Sequence, residues 1–258
     1  MVYYKSEEEV ELIRKSSLLV GKTLAEVAKV LEPGKSTDDL DKVAEEFIRD
    51  HGAVPGFKGY NGFPKTLCTS VNNAVVHGIP NSVPLKDGDI VSVDCGVLWD
   101  GFYGDSAFTF EVGNVSKTIT QLLKVTKESL MLGIEQAVEG HRLGDIGYAI
   151  QSHAEKNGYG VVRELVGHGL GRNLHEAPEV PNYGKRGTGM LLKSGLVLAI
   201  EPMINMGSRR VKEAPDRWTI ITQDNLPSAH FEHTVLVGKE KAEVLSTFEY
   251  VEEVLKNK

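Results

Sequence analysis

The chain has 258 residues, 41% of them hydrophobic and 25% charged, which is the composition of an ordinary globular protein with one large or two small domains. The net charge of −7 at pH 7 argues against a general nucleic-acid-binding protein, so we expect no DNA partner. Two cysteines, Cys68 and Cys95, are too few for a disulfide framework and suit the reducing cytoplasm.

Two helices are predicted at the start of the chain. Ser6 and Glu9 have the spacing of a capping box, and the apolar positions that follow predict a helix to about Leu31, where a Pro–Gly pair breaks it. Thr37 is the predicted cap of a second helix, and Gly52 follows the end of that helix.

A predicted β-hairpin follows an irregular segment. From Val54 to Pro84 the sequence is rich in Gly, Pro and Asn and contains only short strand-like pieces. In SVDCGVLWDGFYGDSAFTF (92–110), two apolar runs then flank Asp100–Gly101, a pair typical of a tight hairpin turn. Each run carries one carboxylate, Asp94 or Asp105, although the rest of the run has the composition of a protein core.

The two carboxylates share one face of this hairpin in both registers that a two-residue loop allows. If the loop is Asp100–Gly101, Asp94 pairs with Ala107, and Asp105 is then its diagonal neighbour. If the loop is Trp99–Asp100, Asp94 lies directly opposite Asp105. Only a loop of odd length would send them to opposite faces. Because like charges at this distance repel, either one carboxyl is protonated, or both face water, or a dication lies between them.

The second half of the chain has the same order of elements as the first. Helical periodicity returns from about 116 to 138 and from about 144 to 157. Glycine-rich loops and apolar strands then continue to about Val237, and the charged end of the chain predicts a short, frayed helix.

An internal repeat supports this division. A shift of 107 residues aligns LKDGDIVSVD (85–94) with LKSGLVLAIE (192–201) and places Asp94 on Glu201. A shift of 106 matches four further pairs: Gly34 with Gly140, Asp39 with Asp145, Leu40 with Ile146, and Gly52 with Gly158. Common turn patterns could coincide by chance, but we favour a diverged duplication. The expected fold is a single α+β domain, residues 1–258, whose halves, about 1–112 and 113–258, share an antiparallel sheet.

The second half also carries two acids in strand-like runs, Glu201 in VLAIEPM and Glu232 in HFEHTVLV. Four carboxylates that converge between the halves would carry up to four negative charges, which two divalent cations would offset. The segment VGHGLGRNLHEAP offers His168 and His175 as a neutral nitrogen ligand. Such an oxygen-rich set suits manganese, iron(II) or cobalt, with zinc as a further candidate.

Several motifs resemble those of a known family. VDCG…GDSAFTF, GHGLG, IEPM and FEHTV, in this order, resemble the pita-bread metallopeptidases, and GFPKTLCTSVNNAVVHGIP and LHEAP resemble the type I methionine aminopeptidases in particular. The 31 residues from Glu201 to Glu232 leave no room for the long insertion of the type II enzymes. We expect neither the extra N-terminal domain of prolidase and its relatives nor a zinc-finger extension. The resemblance implies a pseudo-two-fold antiparallel sheet flanked by helices on its outer face.

The resemblance also implies an activity and a metal centre. The family removes the initiator methionine from nascent polypeptides whose second residue is small, such as Gly, Ala or Ser, and uses two divalent metals. By resemblance, Asp105 and Glu232 bridge both metals, His168 and Glu201 complete one site, and Asp94 chelates the other metal.

Further roles are implied for the residues around the metals. Glu201 resembles the family's general base, and His77 and His175 resemble the two histidines that contact the substrate amide and its carbonyl oxygen. Asn61 stands where many relatives have a histidine, and we expect it to alter pocket detail rather than the reaction. Five residues match or lie near the family's methionine pocket: Tyr60, Phe63, Cys68, Leu174 and Trp218.

Other interpretations of these residues stay open. The chain could be an X-Pro peptidase of the same fold, or a non-catalytic binding protein, although all five ligands and both histidines are present. Without the resemblance, His77 and His175 are ordinary loop histidines and Trp218 is a packing residue. His233 is expected to pack near the site rather than to bind metal. GHGLG is only weakly similar to a phosphate-binding loop.

The remaining expectations concern partners and location. Four basic residues, Arg209, Arg210, Lys212 and Arg217, are expected to form a solvated hairpin, and the alternative is a transient contact with ribosomal RNA. The charged start, MVYYKSEEEV, lacks the apolar stretch of a secretion signal, and the longest apolar run is far too short to cross a membrane. We therefore expect a cytoplasmic protein with no membrane partner, and the resemblance implies a monomer.

Overall fold

The computed structural model describes residues 2–258, and its secondary structure alternates pairs of helices with groups of strands. The helices are α1 (Glu7–Val30), α2 (Thr37–Asp50), α3 (Lys117–Ile134), α4 (Leu143–Lys156) and α5 (Glu249–Lys256), with a 3₁₀ turn at Tyr60–Gly62. The strands of the first half are β1 (Val54–Pro55), β2 (Leu67–Val71), β3 (Ala74–Val76), β4 (Ile90–Trp99) and β5 (Phe102–Glu111). Those of the second half are β6 (Gly160–Val161), β7 (Gly167–Gly169), β8 (Glu176–Val180), β9 (Val197–Ile200), β10 (Met203–Asn205), β11 (Val211–Glu213), β12 (Ile220–Thr222), β13 (Ser228–His230), β14 (His233–Leu236) and β15 (Glu243–Val244).

Local capping chemistry fixes the starts of the first two helices. The capping box of α1 is confirmed, because the Ser6 hydroxyl accepts the Glu9 N–H while the Glu9 carboxylate accepts the Ser6 N–H. The prediction that Thr37 caps α2 was wrong by one residue. Ser36 is the cap and forms a capping box with Asp39, whereas the Thr37 hydroxyl bonds to the loop at Asn81. Asp39 stands here at the position that a Glu or Gln usually occupies in a capping box.

Tertiary pairing ends α3 earlier than its sequence suggests. The helix stops at Ile134 instead of continuing to about 138. Val138 forms an isolated bridge with Gly238, and the Glu139 N–H donates to the Gly238 carbonyl at 2.9 Å. These backbone bonds to a distant segment satisfy groups that the helix would otherwise use. The predicted terminal helix is confirmed as α5.

The α+β prediction is confirmed, and every strand pair is antiparallel. The first half has one four-stranded sheet, in which β1, β4 and β2 are neighbours and β5 pairs with β4. The second half has a five-stranded sheet in the order β15-β14-β9-β7-β8. Two three-stranded sheets, β13-β10-β6 and β11-β12-β3, complete the pairing.

The β4–β5 hairpin follows the first of the two predicted registers. Asp100 and Gly101 both have positive φ, 49° and 81°, as the two central residues of a type I′ turn require. Asp94 pairs with Ala107, and Gly96 pairs with Asp105, so Asp105 is the diagonal neighbour of Asp94.

The same backbone contacts recur in both halves of the chain. Four contacts of the first half have a counterpart 106 or 107 residues later, and the aligned glycines share positive φ. The matched pairs are Gly34 N–Leu85 O with Gly140 N–Leu192 O, Leu85 N–Lys35 O with Leu192 N–His141 O, the Ser36–Pro84 bridge with the Arg142–Leu191 bridge, and Val54–Leu98 with Gly160–Asn205. The pattern supports the pseudo-two-fold arrangement that the repeat predicted.

Helices cover the outer face of the first-half sheet. α1 lies against β4 and β5 and buries Leu19, Val20 and Leu24 in the main core. The approach is close: a Cβ added at Gly104 of β5 would lie 2.3 Å from the backbone nitrogen of Ser17 in α1. Within residues 2–258, none of the helices combines the length and the apolar character needed to cross a membrane.

Candidate active site

A cavity of about 330 Å³ is lined by residues from both halves of the chain. The structure brings together here all twelve residues that the sequence singled out as ligands, substrate-contacting histidines or pocket walls. They are Tyr60, Phe63, Cys68, His77, Asp94, Asp105, His168, Leu174, His175, Glu201, Trp218 and Glu232.

The first-half hairpin supplies two of the carboxylates. Asp94 lies on β4 and Asp105 on β5, on one face, as the observed register requires. Cys68 pairs with Asp94 across the β2–β4 ladder, so its side chain belongs to the same face. The sequence therefore places a thiol and two carboxylates on one wall of the cavity.

The five-stranded sheet of the second half supplies the other three groups. His168 lies in β7, Glu201 directly follows β9, and Glu232 directly precedes β14. The last pair of the β9–β14 ladder joins Ile200 to His233, so Glu201 and Glu232 leave this ladder side by side.

Side-chain hydroxyls and one backbone bond join the two halves behind the carboxylates. The Thr234 hydroxyl donates to the Asp105 carbonyl at 2.7 Å and accepts the Asp105 N–H at 3.2 Å. The Ser106 hydroxyl donates to the Glu232 carbonyl at 2.7 Å, and the Glu232 N–H donates to the Ala107 carbonyl at 2.9 Å. These bonds fix the backbones of Asp105 and Glu232 relative to each other.

His168 turns a lone pair toward the carboxylates. Its Nδ1 lies 2.9 Å from the Gly169 carbonyl, which can only accept, so Nδ1 carries the proton and Nε2 does not. Nε2 lies 3.6 Å from Oε1 of Glu201 and 3.8 Å from Oδ2 of Asp105. One ligand atom each of Asp105, His168 and Glu232 lies within 4.8 Å of the others. Because Nε2 of His168 and the carboxylate oxygens are all hydrogen-bond acceptors, their close approach requires a cation or extra protons between them.

Burial makes the carboxylate cluster costly without a cation. Oδ1 of Asp94, Oδ1 of Asp105 and Oε1 of Glu232 are buried and have no hydrogen-bond partner among residues 2–258. Burial raises the pKa of Asp94 to about 7 and that of Glu201 to about 8. Burial and the neighbouring carboxylates raise the pKa of Asp105 and Glu232 well above their ordinary values. This donor set fits divalent cations, which neutralise the carboxylates and coordinate the unpartnered oxygens.

Two histidines stand beside the cluster. Nδ1 of His175 lies 2.8 Å from the Tyr60 hydroxyl, and the rings of His175 and His168 are 4.2 Å apart. His77 has a left-handed backbone, with φ of 59°, a strain that is typical of functional positions. Its ring is open to the cavity, yet the surrounding protein lowers its pKa to about 4, and burial also lowers the pKa of His175. Both are therefore neutral donors at pH 7.

Comparison with known proteins agrees with this site. The model of the metallopeptidase family M24 matches residues 11–239 of the chain. The chain belongs to metallopeptidase family M24. It is 52% identical over 246 residues to a methionine aminopeptidase of Clostridium perfringens, which covers 95% of this chain and 99% of the relative. It is 48% identical to methionine aminopeptidase 1 of Bacillus subtilis, with 95% and 99% covered.

A solved structure supports the same assignment. The crystal structure of methionine aminopeptidase from Thermotoga maritima matches with a TM-score of 0.94 and 44% identity, and the match covers 96% of this chain and 100% of that one. The predicted resemblance to type I methionine aminopeptidases and the predicted pita-bread fold are both confirmed. As a family M24 metallopeptidase, the chain is a divalent-metal-dependent hydrolase, in keeping with the unpartnered carboxylate oxygens.

One wall of the cavity is apolar. Phe63, Cys68 and Leu174 are buried there together with Phe57, which the sequence had not singled out. Trp218 packs edge-on against Phe63, with ring centroids 5.1 Å apart. A hydrophobic residue in a glycine-rich segment was the only sequence signal for Phe57. Val76 and Met203 also line the cavity and were missed.

The glycines of GHGLG are explained by close packing. A Cβ at Gly167 would lie 2.2 Å from the Ala199 carbonyl oxygen, and one at Gly169 would lie 2.6 Å from that of Ala177. A Cβ at Gly171 would lie 2.5 Å from the Lys5 ammonium. These glycines let the strand that carries His168 run directly against its neighbours, which is a different use from a phosphate-binding loop.

One histidine near the cavity was missed by the sequence analysis. His230 is buried, and its Nε2 lies 3.4 Å from Oε2 of Glu201. Its place two residues before Glu232, on the same face of an extended segment, was the available signal. His233 packs as expected: it stacks on Phe248 at 3.8 Å, and its Nδ1 lies 2.7 Å from the Ser246 hydroxyl.

The basic cluster lies on the hairpin of β11 and β12. Arg209, Arg210, Lys212 and Arg217 are all exposed, and Arg209 lies 3.9 Å from the Glu164 carboxylate. Arg217 directly precedes Trp218, which lines the cavity.

Proposed function

We propose that this chain is a methionine aminopeptidase, which hydrolyses the peptide bond after the N-terminal methionine of a polypeptide. The observation that carries the proposal is that four carboxylates, two of them buried and two half-buried, and an apolar pocket open into one cavity. The carboxylates suit metal-assisted hydrolysis, and the pocket suits an uncharged, flexible side chain. High identity to methionine aminopeptidases over nearly the whole chain supports the same substrate.

The proposed metal centre holds two divalent ions. Asp105 and Glu232 would touch both ions, His168 and Glu201 would complete one site, and Asp94 would chelate the other. The unpartnered oxygens of Asp94, Asp105 and Glu232 support this assignment, as does the free Nε2 of His168. Bound ions would supply the charge that activates a water for attack on the scissile carbonyl. Manganese, iron(II), cobalt and zinc all suit the donors.

Three residues are proposed to carry out the proton transfers and to orient the substrate. Glu201 accepts the proton of the attacking water and returns it to the leaving amine. Nε2–H of His175 donates to the carbonyl oxygen as negative charge develops there, and the Tyr60 hydroxyl at Nδ1 holds His175 in this tautomer. His77 contacts the scissile amide.

The methionine side chain is proposed to occupy the pocket walled by Tyr60, Phe63, Cys68, Leu174 and Trp218. Four of these walls are apolar carbon surfaces or aromatic rings, and a thioether packs favourably against such rings. The preference for a small second residue is proposed from the resemblance to type I methionine aminopeptidases.

The proposed substrates are the N-termini of nascent polypeptides in the cytoplasm. We propose a monomer whose single catalytic domain spans residues 1–258, with halves of about 1–112 and 113–258. The exposed charges of Arg209, Arg210 and Lys212 support a transient contact with the ribosome.

Two peptides test the proposed function against an X-Pro peptidase and a non-catalytic protein of the same fold. The manganese-loaded protein is incubated with Met-Ala-Ser and, in parallel, with an X-Pro peptide, and free amino acids are quantified by mass spectrometry. The proposal predicts release of methionine from Met-Ala-Ser alone. Cleavage of only the X-Pro peptide, or of neither peptide, would overturn it.

A further inference from the structure

His230 is buried beside the carboxylate of Glu201 and is not one of the metal ligands assigned above. Its side chain is 1% exposed, and its Nε2 has no hydrogen-bond partner among residues 2–258. The one carboxylate within 4 Å of this nitrogen among residues 2–258 is that of Glu201, whose Oε2 lies at 3.4 Å. A buried N–H without a partner is costly, so a strong acceptor at this distance has a physical reason to be there.

The backbone of His230 is held rigidly. The Thr109 hydroxyl donates to the His230 carbonyl at 2.7 Å and accepts the His230 N–H at 2.9 Å. The Ser92 hydroxyl lies 2.8 Å from Oγ1 of Thr109 and completes the hydrogen bonding of that oxygen. The backbone that carries the imidazole is therefore held by hydroxyl bonds between the two halves, as are the backbones of Asp105 and Glu232.

The carboxylate of Glu201 lies between the imidazoles of His168 and His230. Its Oε1 faces Nε2 of His168, which carries no proton because Nδ1 of that ring donates to a carbonyl. His168 therefore cannot donate to Glu201. Within residues 2–258 no hydrogen bond to the Glu201 carboxylate is formed, and the unpartnered Nε2 of His230, 3.4 Å from Oε2, is the donor that the described structure offers.

We propose that His230 is a positioning residue, whose Nε2–H donates to Oε2 of Glu201 and holds that carboxylate in the orientation in which Oε1 faces the metal centre. The inference rests on the proposed role of Glu201 as general base. A base must keep one oxygen aimed at the proton that it removes, and a carboxylate anchored through its other oxygen cannot rotate away. Contacts of this kind shorten when the substrate complex forms.

A matched pair of variants tests the proposal. Gln and Met have similar length, but only Gln can donate a hydrogen bond at the position of Nε2. We expect His230→Met to lower kcat roughly 10- to 100-fold, the effect of losing a hydrogen bond to a charged group, with KM unchanged. His230→Gln should retain kcat within about 5-fold. The metal content and the melting temperature of the metal-free protein are measured for both variants, and these should agree with each other.

The kinetics of the two variants can contradict the proposed role of His230. Equal loss of kcat in the two variants, or normal kcat in His230→Met, would overturn the proposal. Recovery of the His230→Met enzyme at higher metal concentration would assign His230 to metal retention instead. If the wild-type protein does not cleave Met-Ala-Ser, the proposed function has failed rather than this inference.

A spectroscopic measurement is independent of turnover. In the zinc-loaded protein labelled with ¹⁵N at histidine, the signal assigned to His230 by its loss in His230→Gln should show the proton on Nε2. A proton on Nδ1 would overturn the proposal, because Nε2 could then not donate to Glu201.

Discussion

Replacing Asp94 by Asn should stabilise the metal-free protein at pH 8 relative to the wild type, and much less at pH 5. Burial raises the pKa of Asp94 to about 7. A carboxyl whose pKa is raised in the folded state holds its proton more tightly there than in the unfolded chain. Its stabilising contribution is therefore complete below the unfolded pKa and is lost as the pH rises through the folded pKa. Asn cannot ionise and escapes this loss.

The size of the effect follows from the same pKa. The difference between the ordinary value of 3.8 and about 7 corresponds to about 4 kcal/mol in the free energy of unfolding. About 2 kcal/mol of this falls between pH 5 and pH 7, because each pH unit well below the folded pKa is worth about 1.4 kcal/mol and the dependence levels off near that pKa. The wild type should lose this amount relative to the variant over that interval.

Urea denaturation followed by circular dichroism measures the difference at pH 5, 6, 7 and 8 in the presence of a chelator. Asp50→Asn is the matched control, because Asp50 is exposed at the end of α2 and undergoes the same chemical change. The free energy difference between this control and the wild type is measured at the same four pH values. A difference between Asp94→Asn and the wild type that varies no more with pH than that of the control would refute the reasoning about the buried carboxyl group.

Four further results are expected. Manganese at about 100 times its Kd should raise the melting temperature by about 5–10 °C over the chelator-treated protein, because metal binds the folded cluster better than the unfolded chain. In peptide kinetics, His175→Ala should lower kcat by roughly 10²–10³-fold with a smaller change in KM. Tyr60→Phe should lower kcat by about 10-fold. Reversing the charges of Arg209, Arg210 and Lys212 should weaken co-sedimentation with ribosomes and leave peptide turnover intact.

Each of these has a contrary outcome. Identical melting curves with manganese and with chelator would count against a tight metal site. A His175→Ala enzyme altered only in KM would make His175 a residue that binds the substrate ground state. The expected fall of kcat in Tyr60→Phe would then have no basis. Unchanged co-sedimentation would leave the β11–β12 hairpin as a solvated surface.

Local signals made much of the fold predictable. The capping box at Ser6 and Glu9 and the Asp100–Gly101 turn involve only neighbouring residues, so their chemistry is visible in the sequence. The convergence of Asp94 and Asp105 followed from the alternation of side chains along strands. The segment after Ile134 could not be predicted in this way, because its backbone bonds go to Gly238, about a hundred residues away.

The candidate site was predictable where its residues stand in characteristic motifs. The four carboxylates were singled out because acids in apolar strands are unusual, whereas His168 was chosen over His175 as a ligand only through the family resemblance. His230 was not found, since a histidine before FEHTV has no local pattern that distinguishes it from a packing residue such as His233. Its significance depends on the 3.4 Å approach to Glu201, which is a property of the folded chain.

Turnover of Met-Ala-Ser by Glu201→Gln, at a metal content matched to that of the wild type, tests the central claim most directly. Because Glu201 is assigned both to the metal centre and to proton transfer, bound metal is quantified in the same samples. The account predicts steady release of methionine by the wild type and a kcat lower by roughly 10²–10⁴-fold in the variant. A fully metal-loaded Glu201→Gln enzyme with near-normal kcat would contradict it.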